Sequence, residues 1–182
     1  PCEDVIYLGD NARAPYGSKS VDRLQAIGLE NASFLLSHDV KMIVVACNTA
    51  SAVALPYLQQ NLDVPVIGVI DGSVMAALDA TRNGRIGVIG TRQTIASGIH
   101  ELLLRKAAAN IRVFAKATPL FAPVIEEGFA DAASTACLIQ EELQYFKDVD
   151  VDTLILGCTH YPLIKHNIAA CLRGFSVVYP AR

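Results

Sequence analysis

Short, almost entirely apolar runs alternate along the chain with longer segments of helical period. The runs are rich in β-branched residues, and Ala and Leu recur in the longer segments at spacings of three and four. Strands are therefore predicted at Val5–Leu8, Met42–Ala46, Val66–Ile70, Arg85–Ile89, Arg112–Ala115, Thr153–Leu156 and Ser176–Val178. Helices are predicted at Val21–Ser37, Ala50–Asn61, Ser73–Arg82, Thr94–Ala109, Ser134–Lys147 and Leu163–Arg173. Strands that are apolar on both faces are typical of a parallel sheet covered by helices, so we predict an α/β fold.

Two stretches of the chain repeat one pattern, in which a strand is followed by a small residue, a cysteine and polar residues that lead into a helix. They are 44–49 and 155–160, with Cys47 and Cys158 at matching positions. Ligands gather at the carboxyl ends of parallel strands. We therefore expect two α/β lobes, 1–72 and 73–182, with their boundary near Asp71-Gly72-Ser73 and one cysteine on each wall of a shared cleft.

The positions of these two cysteines favour acid–base chemistry. A thiol between a strand and a helix N-terminus lies near free N–H groups and the positive end of the helix dipole, which lowers its pKa. A single cysteine in this place is more often a core residue, but two in matching contexts favour chemistry. Cys2, Cys137 and Cys171 lack this context and are predicted to serve packing or to lie on the surface.

Other titratable groups stand near the second cysteine or in an unusual segment. His160 follows Cys158 by two residues and could exchange a proton with the thiol or with a substrate. Glu126 and Glu127 follow residues 119–125, which two prolines are expected to hold away from regular helix. The default interpretation of this glutamate pair is a solvated surface.

Polar residues after the strands could bind a carboxylate through side-chain and main-chain donors. Those at predicted helix N-termini are Asn48, Thr49, Thr91, Thr94 and Thr159, and capping alone would also explain them. The loop from Asp10 to Tyr16 continues into a rigid turn, Pro15-Tyr16-Gly17, that we expect close to the cleft, although a structural connection is an equal alternative.

Composition and charge exclude several classes of function. Of the 182 residues, 18% are charged and the formal net charge is −3, so the chain is not built to track a nucleic-acid backbone. The apolar runs are too short to span a bilayer. Five scattered cysteines without a CxxC pattern indicate reduced thiols in the cytosol. The Cys and His spacing does not suggest a metal site, and neither GxGxxG nor GxxxxGK[ST] is present.

Three segments of the chain resemble the signature segments of bacterial glutamate racemases, in the aspartate/glutamate racemase superfamily. They are 9–20, 46–51 and 156–163, and the segments 65–69, 86–91 and 121–128 fit the same family in the same order. The resemblance implies two flavodoxin-like lobes with parallel sheets that face a central cleft. Family members begin with a further strand ending in Asp-Ser-Gly and continue past the last strand, so we expect the first lobe to be incomplete within these residues.

The resemblance also implies an activity and roles for individual residues. The activity is cofactor-independent racemisation of glutamate by two bases, Cys47 and Cys158, which supplies D-glutamate for peptidoglycan and so for cell-wall biogenesis and cell shape, in a cytoplasmic homodimer. Glu126 and His160 would support Cys158. The substrate-binding residues would be Asp10, Pro15, Tyr16, Gly17, Asn48, Thr49, Thr91, Thr94, Thr159 and His160. A racemase of aspartate or another small acid, and a non-catalytic binding relative, remain alternatives.

Overall fold

The computed structural model describes residues 3–179, which form nine α-helices and six β-strands. The helices are α1 (Val21–Leu36), α2 (Asn48–Val53), α3 (Leu55–Asn61), α4 (Ile70–Ala80), α5 (Arg92–Ala96), α6 (Ile99–Ala107), α7 (Phe121–Glu126), α8 (Ala133–Asp148) and α9 (Lys165–Cys171). The strands are β1 (Ile43–Val45), β2 (Val66–Gly68), β3 (Arg85–Gly90), β4 (Arg112–Ala117), β5 (Thr153–Gly157) and β6 (Ser176–Val178). Short 3₁₀ turns occupy Asn11–Arg13 and Tyr161–Ile164.

All strand pairs are parallel and fall into two sheets. The first sheet pairs β1 with β2, and the second has the order β4-β3-β5-β6. Within the second sheet this is the order 2-1-3-4 of a flavodoxin-like lobe, whose switch point lies between β3 and β5. The predicted α/β fold with parallel sheets is confirmed.

Helices cover both faces of the second sheet and one face of the first. One core packs α7, α8 and α9 residues, including Phe121, Phe146 and Ile168, against β5. A second core places Val74 of α4 and Leu104 of α6 on the opposite face. A third core packs α1 and α3 against β1 and β2. Two helix-covered faces explain why the central strands of the second sheet, β3 and β5, are almost entirely apolar and buried.

The structure corrects several predicted elements. Residues 5–8 form no strand, because no strand of the described chain pairs with them. The helix predicted over 50–61 begins at Asn48 and is interrupted where Pro56 lacks the N–H needed to continue it. The helix over 94–109 is broken at Gly98, whose φ of 65° is left-handed. The helix over 163–173 is a 3₁₀ turn followed by α9.

The prolines of 119–125 do not prevent a helix, contrary to the prediction. Helix α7 spans Phe121–Glu126 with Pro123 in its first turn. N–H groups in a first turn have no partner within the helix, so proline costs little there. As a result, Glu126 stands at the end of a short helix instead of in an irregular loop.

The lobe boundary expected near Asp71-Gly72-Ser73 falls inside α4, which begins at Ile70. This helix packs on β5 and β6 of the second sheet, so the second lobe's structure begins directly after β2. Strand β6 belongs to the same sheet. None of the helices within 3–179 has the length and apolarity needed to cross a membrane. Cys2 lies outside the described residues.

Candidate active site

The ends of β3 and β5 bring two candidate residues side by side at the switch point of the second sheet. Gly90 and Gly157 are paired in register, and Thr91 and Cys158 follow them directly. A Cβ on Gly157 would lie 2.7 Å from the carbonyl oxygen of Ile89, so only glycine permits this close approach of the strands. The sequence Gly157-Cys158 therefore places a thiol where ligands bind in open parallel sheets.

The Cys158 thiol is buried and strongly favours its protonated form. Burial is the main cause, and it raises the pKa of Cys158 to about 12. The backbone N–H groups of His160 and Tyr161 act in the opposite direction, whereas the negative charges of Cys47 and Glu126 raise the pKa further. Thr49, two residues after Cys47, lies 2.9 Å from Thr91, which stands beside Cys158 at the strand ends, so both cysteines lie where the two lobes meet.

Cys47 occupies the N-cap position of α2, as the sequence pattern indicated. Burial raises its pKa, while the backbone N–H groups of Ala50 and Thr49 and the Thr49 hydroxyl act against this rise. The backbone N–H groups act on the thiol pKa in the predicted direction, but the expected net lowering of the pKa is wrong for both cysteines. Amide donors are present as expected, but the loss of water around each sulfur outweighs them.

His160 links the Cys158 thiol to the carboxylate of Glu126. Its Nδ1 lies 3.6 Å from the Cys158 Sγ, and its Nε2 contacts the Glu126 Oε1. Because a carboxylate can only accept, Nε2 carries the proton of the neutral imidazole and Nδ1 is left as an acceptor. The His160 Nδ1 is therefore placed to accept the proton of the Cys158 thiol. The default interpretation of Glu126 as merely solvated was therefore incomplete, although the side chain is well exposed.

Three threonine hydroxyls join the two lobes next to the cysteines. Thr49 Oγ1 lies 2.9 Å from Thr91 Oγ1 and 3.2 Å from Thr94 Oγ1, and the latter two are 3.0 Å apart. Thr91 also caps α5, because its hydroxyl accepts from the Thr94 N–H. Thr91 therefore caps a helix and also lies in the cleft.

Asn48, adjacent to this threonine cluster in sequence, is fully buried with an unsatisfied side chain. Neither its Nδ2 nor its Oδ1 has a hydrogen-bond partner among the described residues. A buried amide without partners costs free energy, which a bound ligand with both donor and acceptor groups would recover.

The loop predicted to approach the cleft does so through Gly17. A Cβ on Gly17 would lie 2.6 Å from the Cβ of Thr91, which shows how closely the backbone touches the second lobe. The Tyr16 hydroxyl donates to Asp10 at the base of the loop. Burial and the Asp10 bond raise the pKa of Tyr16.

Not every predicted residue makes such contacts. Pro15 and Thr159 are exposed, and neither side chain forms a hydrogen bond in the described part of the chain. Cys137 is exposed and Cys171 half-buried, consistent with surface and packing roles. No group of three His, Cys, Asp or Glu side chains within 3–179 could hold a metal ion.

Sequence reasoning missed three polar residues that support the loop. Arg13 and Asn31 bind the Asp10 carboxylate, and Gln93 donates from α5 to the Lys19 carbonyl at 2.8 Å. Arg13 lies within the segment 9–20 and could have been singled out as its one cation before Lys19. Asn31 and Gln93 gave no signal, because polar residues on exposed helix faces are common.

The chain is matched by the model of the Asp/Glu/hydantoin racemase family over residues 3–182. It belongs to this family. Two curated relatives are glutamate racemases: that of Geobacter metallireducens is 48% identical over 92% of this chain and 62% of its own length, and that of Aquifex pyrophilus is 49% identical over 96% and 68%. This chain thus spans about two thirds of the relatives' length.

A solved structure of the same family superposes closely on this fold. The crystal structure of glutamate racemase from Francisella tularensis subsp. tularensis in complex with D-glutamate aligns with a TM-score of 0.90 and 42% identity. The alignment covers 98% of this chain and 66% of that one. The two-lobe α/β architecture is therefore that of the racemase family.

Proposed function

We propose that this protein interconverts L- and D-glutamate by a two-base mechanism without a cofactor, in which Cys47 and Cys158 are the acid–base groups. The observation that carries the proposal is the pair of thiols on opposite lobes, each at the end of a strand and linked through the Thr49–Thr91 contact. The family membership and the glutamate racemase relatives support the substrate.

Racemisation requires proton removal from one face of Cα and return to the other. One cysteine, as thiolate, takes the α-proton, and the electron pair stays on the substrate as a planar carbanion. The opposite cysteine, as thiol, then donates its proton to the other face and becomes the thiolate. After the reaction, the two cysteines have exchanged their protonation states, and the enzyme is ready to act on the opposite enantiomer.

The raised pKa values of both thiols mean that a thiolate has to be generated in the cleft. At Cys158 we assign this to His160, whose Nδ1 accepts the thiol proton while the Glu126 carboxylate stabilises the resulting imidazolium. The substrate would be held by the unsatisfied Asn48 amide, the hydroxyls of Thr49, Thr91 and Thr94, and the Tyr16–Gly17 backbone, with Pro15 and Thr159 at the rim. These donors would also stabilise negative charge that develops on the substrate.

We further propose that the enzyme supplies D-glutamate for peptidoglycan and acts in the cytoplasm as a homodimer. Free thiols at four described cysteines support a reducing compartment. Light scattering of the purified protein tests the homodimer through its mass.

The decisive experiment is proton NMR of L-glutamate and of D-glutamate incubated separately with the protein in D₂O. Two-base racemisation predicts loss of the α-proton signal from both enantiomers, with deuterium appearing in the product of opposite handedness. The same experiment is carried out with L- and D-aspartate. Exchange of the α-proton in aspartate but not in glutamate would identify the protein as an aspartate racemase. Absence of exchange with either amino acid contradicts the proposed activity.

Serine variants assign the bases. Cys47→Ser and Cys158→Ser should each lower racemisation by about 10²–10⁴-fold, since a positioned acid–base group contributes that much. Cys137→Ser, at an exposed cysteine of α8, is the matched control and should leave the rate unchanged. Full activity in either cleft variant would refute the two-cysteine mechanism.

A further inference from the structure

A cluster of polar side chains, Asp10, Arg13, Tyr16, Glu30 and Asn31, fixes the base of the cleft loop to α1. The Arg13 guanidinium donates from Nε to Asp10 at 2.9 Å and from Nη2 to the Asn31 Oδ1 at 2.7 Å, and it pairs with Glu30. Asn31 in turn donates from Nδ2 to the Tyr16 hydroxyl at 3.2 Å. The planar fork of arginine suits such a multidentate contact better than lysine would.

The Asp10 carboxylate is fully engaged inside this cluster. It accepts from Arg13, from the Tyr16 hydroxyl and from the Asn31 Nδ2 at 3.4 Å, and its side chain is only 11% exposed. Burial raises the pKa of Asp10, but the hydrogen bonds from Tyr16, Arg13 and Asn31 outweigh it and hold the pKa below its usual range. Its expected part in substrate binding is therefore indirect.

The other end of the loop reaches the second lobe. Gly17 lies against Thr91, and the Lys19 carbonyl accepts from Gln93 of α5. Between these ends, the backbone bonds of residues 10–19 in the described structure are local ones, such as Arg13 N–H to Asp10 and Lys19 N–H to Tyr16. Side chains, rather than a strand ladder, thus hold the loop in place.

We propose that Arg13 is a positioning residue for substrate binding, acting through Asp10 and Asn31 to hold Tyr16 and Gly17 against the Thr91 wall of the cleft. The proposal rests on the proposed function, because it assigns the loop to the glutamate site. Arg13 itself does not contact the substrate. Its loss should weaken binding in the ground state and the transition state alike, which raises KM and leaves kcat nearly unchanged.

The first test compares Arg13→Gln with Arg23→Gln, a matched loss of one positive charge at an exposed position of α1. In Arg13→Gln we expect KM for both enantiomers to rise about tenfold with kcat within about twofold, since hydrogen bonds to charged groups are lost. Arg13→Lys should recover part of the affinity. Asp10→Asn combined with Arg13→Gln should be no worse than Arg13→Gln alone, because the two residues act in one network.

The second test is hydrogen exchange of the peptide covering residues 14–19, which needs no catalytic activity. Exchange should accelerate about fivefold or more in Arg13→Gln and stay unchanged in Arg23→Gln. Equal exchange in both variants, or faster exchange with an unchanged KM, overturns the proposal. If the unmodified protein does not racemise glutamate, the proposed function fails by itself, and the exchange rates still decide whether Arg13 holds the loop.

Discussion

The two thiols illustrate how burial and local donors compete at single residues. Both cysteines receive backbone N–H groups at the end of a strand, yet burial dominates and raises both pKa values. A resting cleft with two protonated thiols cannot abstract an α-proton until one proton leaves. His160, held by Glu126, is the described group placed to take it from Cys158. Because burial raises the pKa of the Cys158 thiol, the mechanism needs His160 as the acceptor of its proton.

The raised pKa of Cys158 should be visible as a shifted pH dependence of alkylation. With a pKa of about 12, its rate with iodoacetamide should still rise about tenfold per pH unit up to pH 10. An unperturbed cysteine thiol, with a pKa of about 8.5, should instead level off about one pH unit above that pKa. Peptide mass spectrometry separates Cys158 from the other cysteines. A plateau for Cys158 below pH 9 would contradict the burial argument.

Glu126→Gln should lower turnover about ten- to a hundredfold, because the imidazolium of His160 loses its carboxylate partner. Glu127→Gln, at the neighbouring exposed glutamate, is the matched control and should leave turnover unchanged. The kcat of the two variants, measured side by side, checks this expectation. Equal turnover in both variants would argue against a role for Glu126 through His160.

At the scale of elements, the pattern of apolar runs predicted the strands of both sheets well and helix ends less well. Strands such as Arg85–Gly90 are recognisable because both faces are buried, which leaves an unbroken apolar run. Helix breaks depended on single residues, Pro56 and Gly98, within otherwise regular patterns. Val5–Leu8 has a strand-like composition but no partner strand among residues 3–179, and pairing is a tertiary property that composition does not contain. The cysteine positions were predictable because they follow strands, whereas their pKa values depend on burial.

Helix α6 contains a buried histidine that should make stability depend on pH. His100 is 3% exposed, its Nε2 has no partner among the described residues, and burial lowers its pKa to about 4. In the unfolded chain, histidine takes up a proton at about pH 6.5. The contribution of His100 to the free energy of unfolding is therefore complete above pH 6.5 and is lost as the pH falls toward 4. The expected loss over this range is about 3 kcal/mol.

Urea unfolding at pH 7, 6, 5 and 4.5 measures this contribution. His100→Leu should flatten the pH dependence in this window, and His38→Leu, at an exposed histidine, should retain the slope of the unmodified protein. The lowered pKa values of Asp10 and Asp152 affect stability below this window, as the carboxylates protonate. An unchanged slope in His100→Leu would show that another group binds the proton.

At the scale of the whole molecule, the cleft exists because the two lobes touch at few, specific places. The threonine cluster joins α2 to α5, and Gly17 presses on Thr91 from the loop. The repeated strand–cysteine pattern predicted that two lobes share a cleft. It could not predict these contacts, because threonines and a glycine are common residues whose partners are set by how the lobes pack.

Gly17→Ala tests this contact between lobes. Its backbone is not in the left-handed region, so alanine is tolerated conformationally and its cost is steric, from a Cβ placed 2.6 Å from the Thr91 Cβ. Overpacking of this kind costs about 1–3 kcal/mol, which lowers the Tm by roughly 2–4 °C per kcal/mol for a chain of this size. Gly9→Ala is the control within the same loop, because its Cβ would meet the exposed Tyr7 side chain at 3.3 Å and the Asn11 Oδ1 at 3.5 Å, and neither contact is a severe clash.

The steric origin of this cost can be separated from a general weakening of the loop by changing Thr91. Glycine is an acceptable N-cap, so Thr91→Gly loses only a few tenths of a kcal/mol at the cap of α5. It also loses the hydrogen bonds of the Thr91 hydroxyl to Thr49 and Thr94, so its own Tm is the reference for the double variant. In that background the clashing Cβ is absent, and Gly17→Ala should lower the Tm much less than it does in the unmodified protein. Calorimetry of the four proteins gives the coupling directly. Additive losses would mean that Gly17 and Thr91 are not in contact, and the Gln93–Lys19 hydrogen bond would then have to hold the loop on the second lobe.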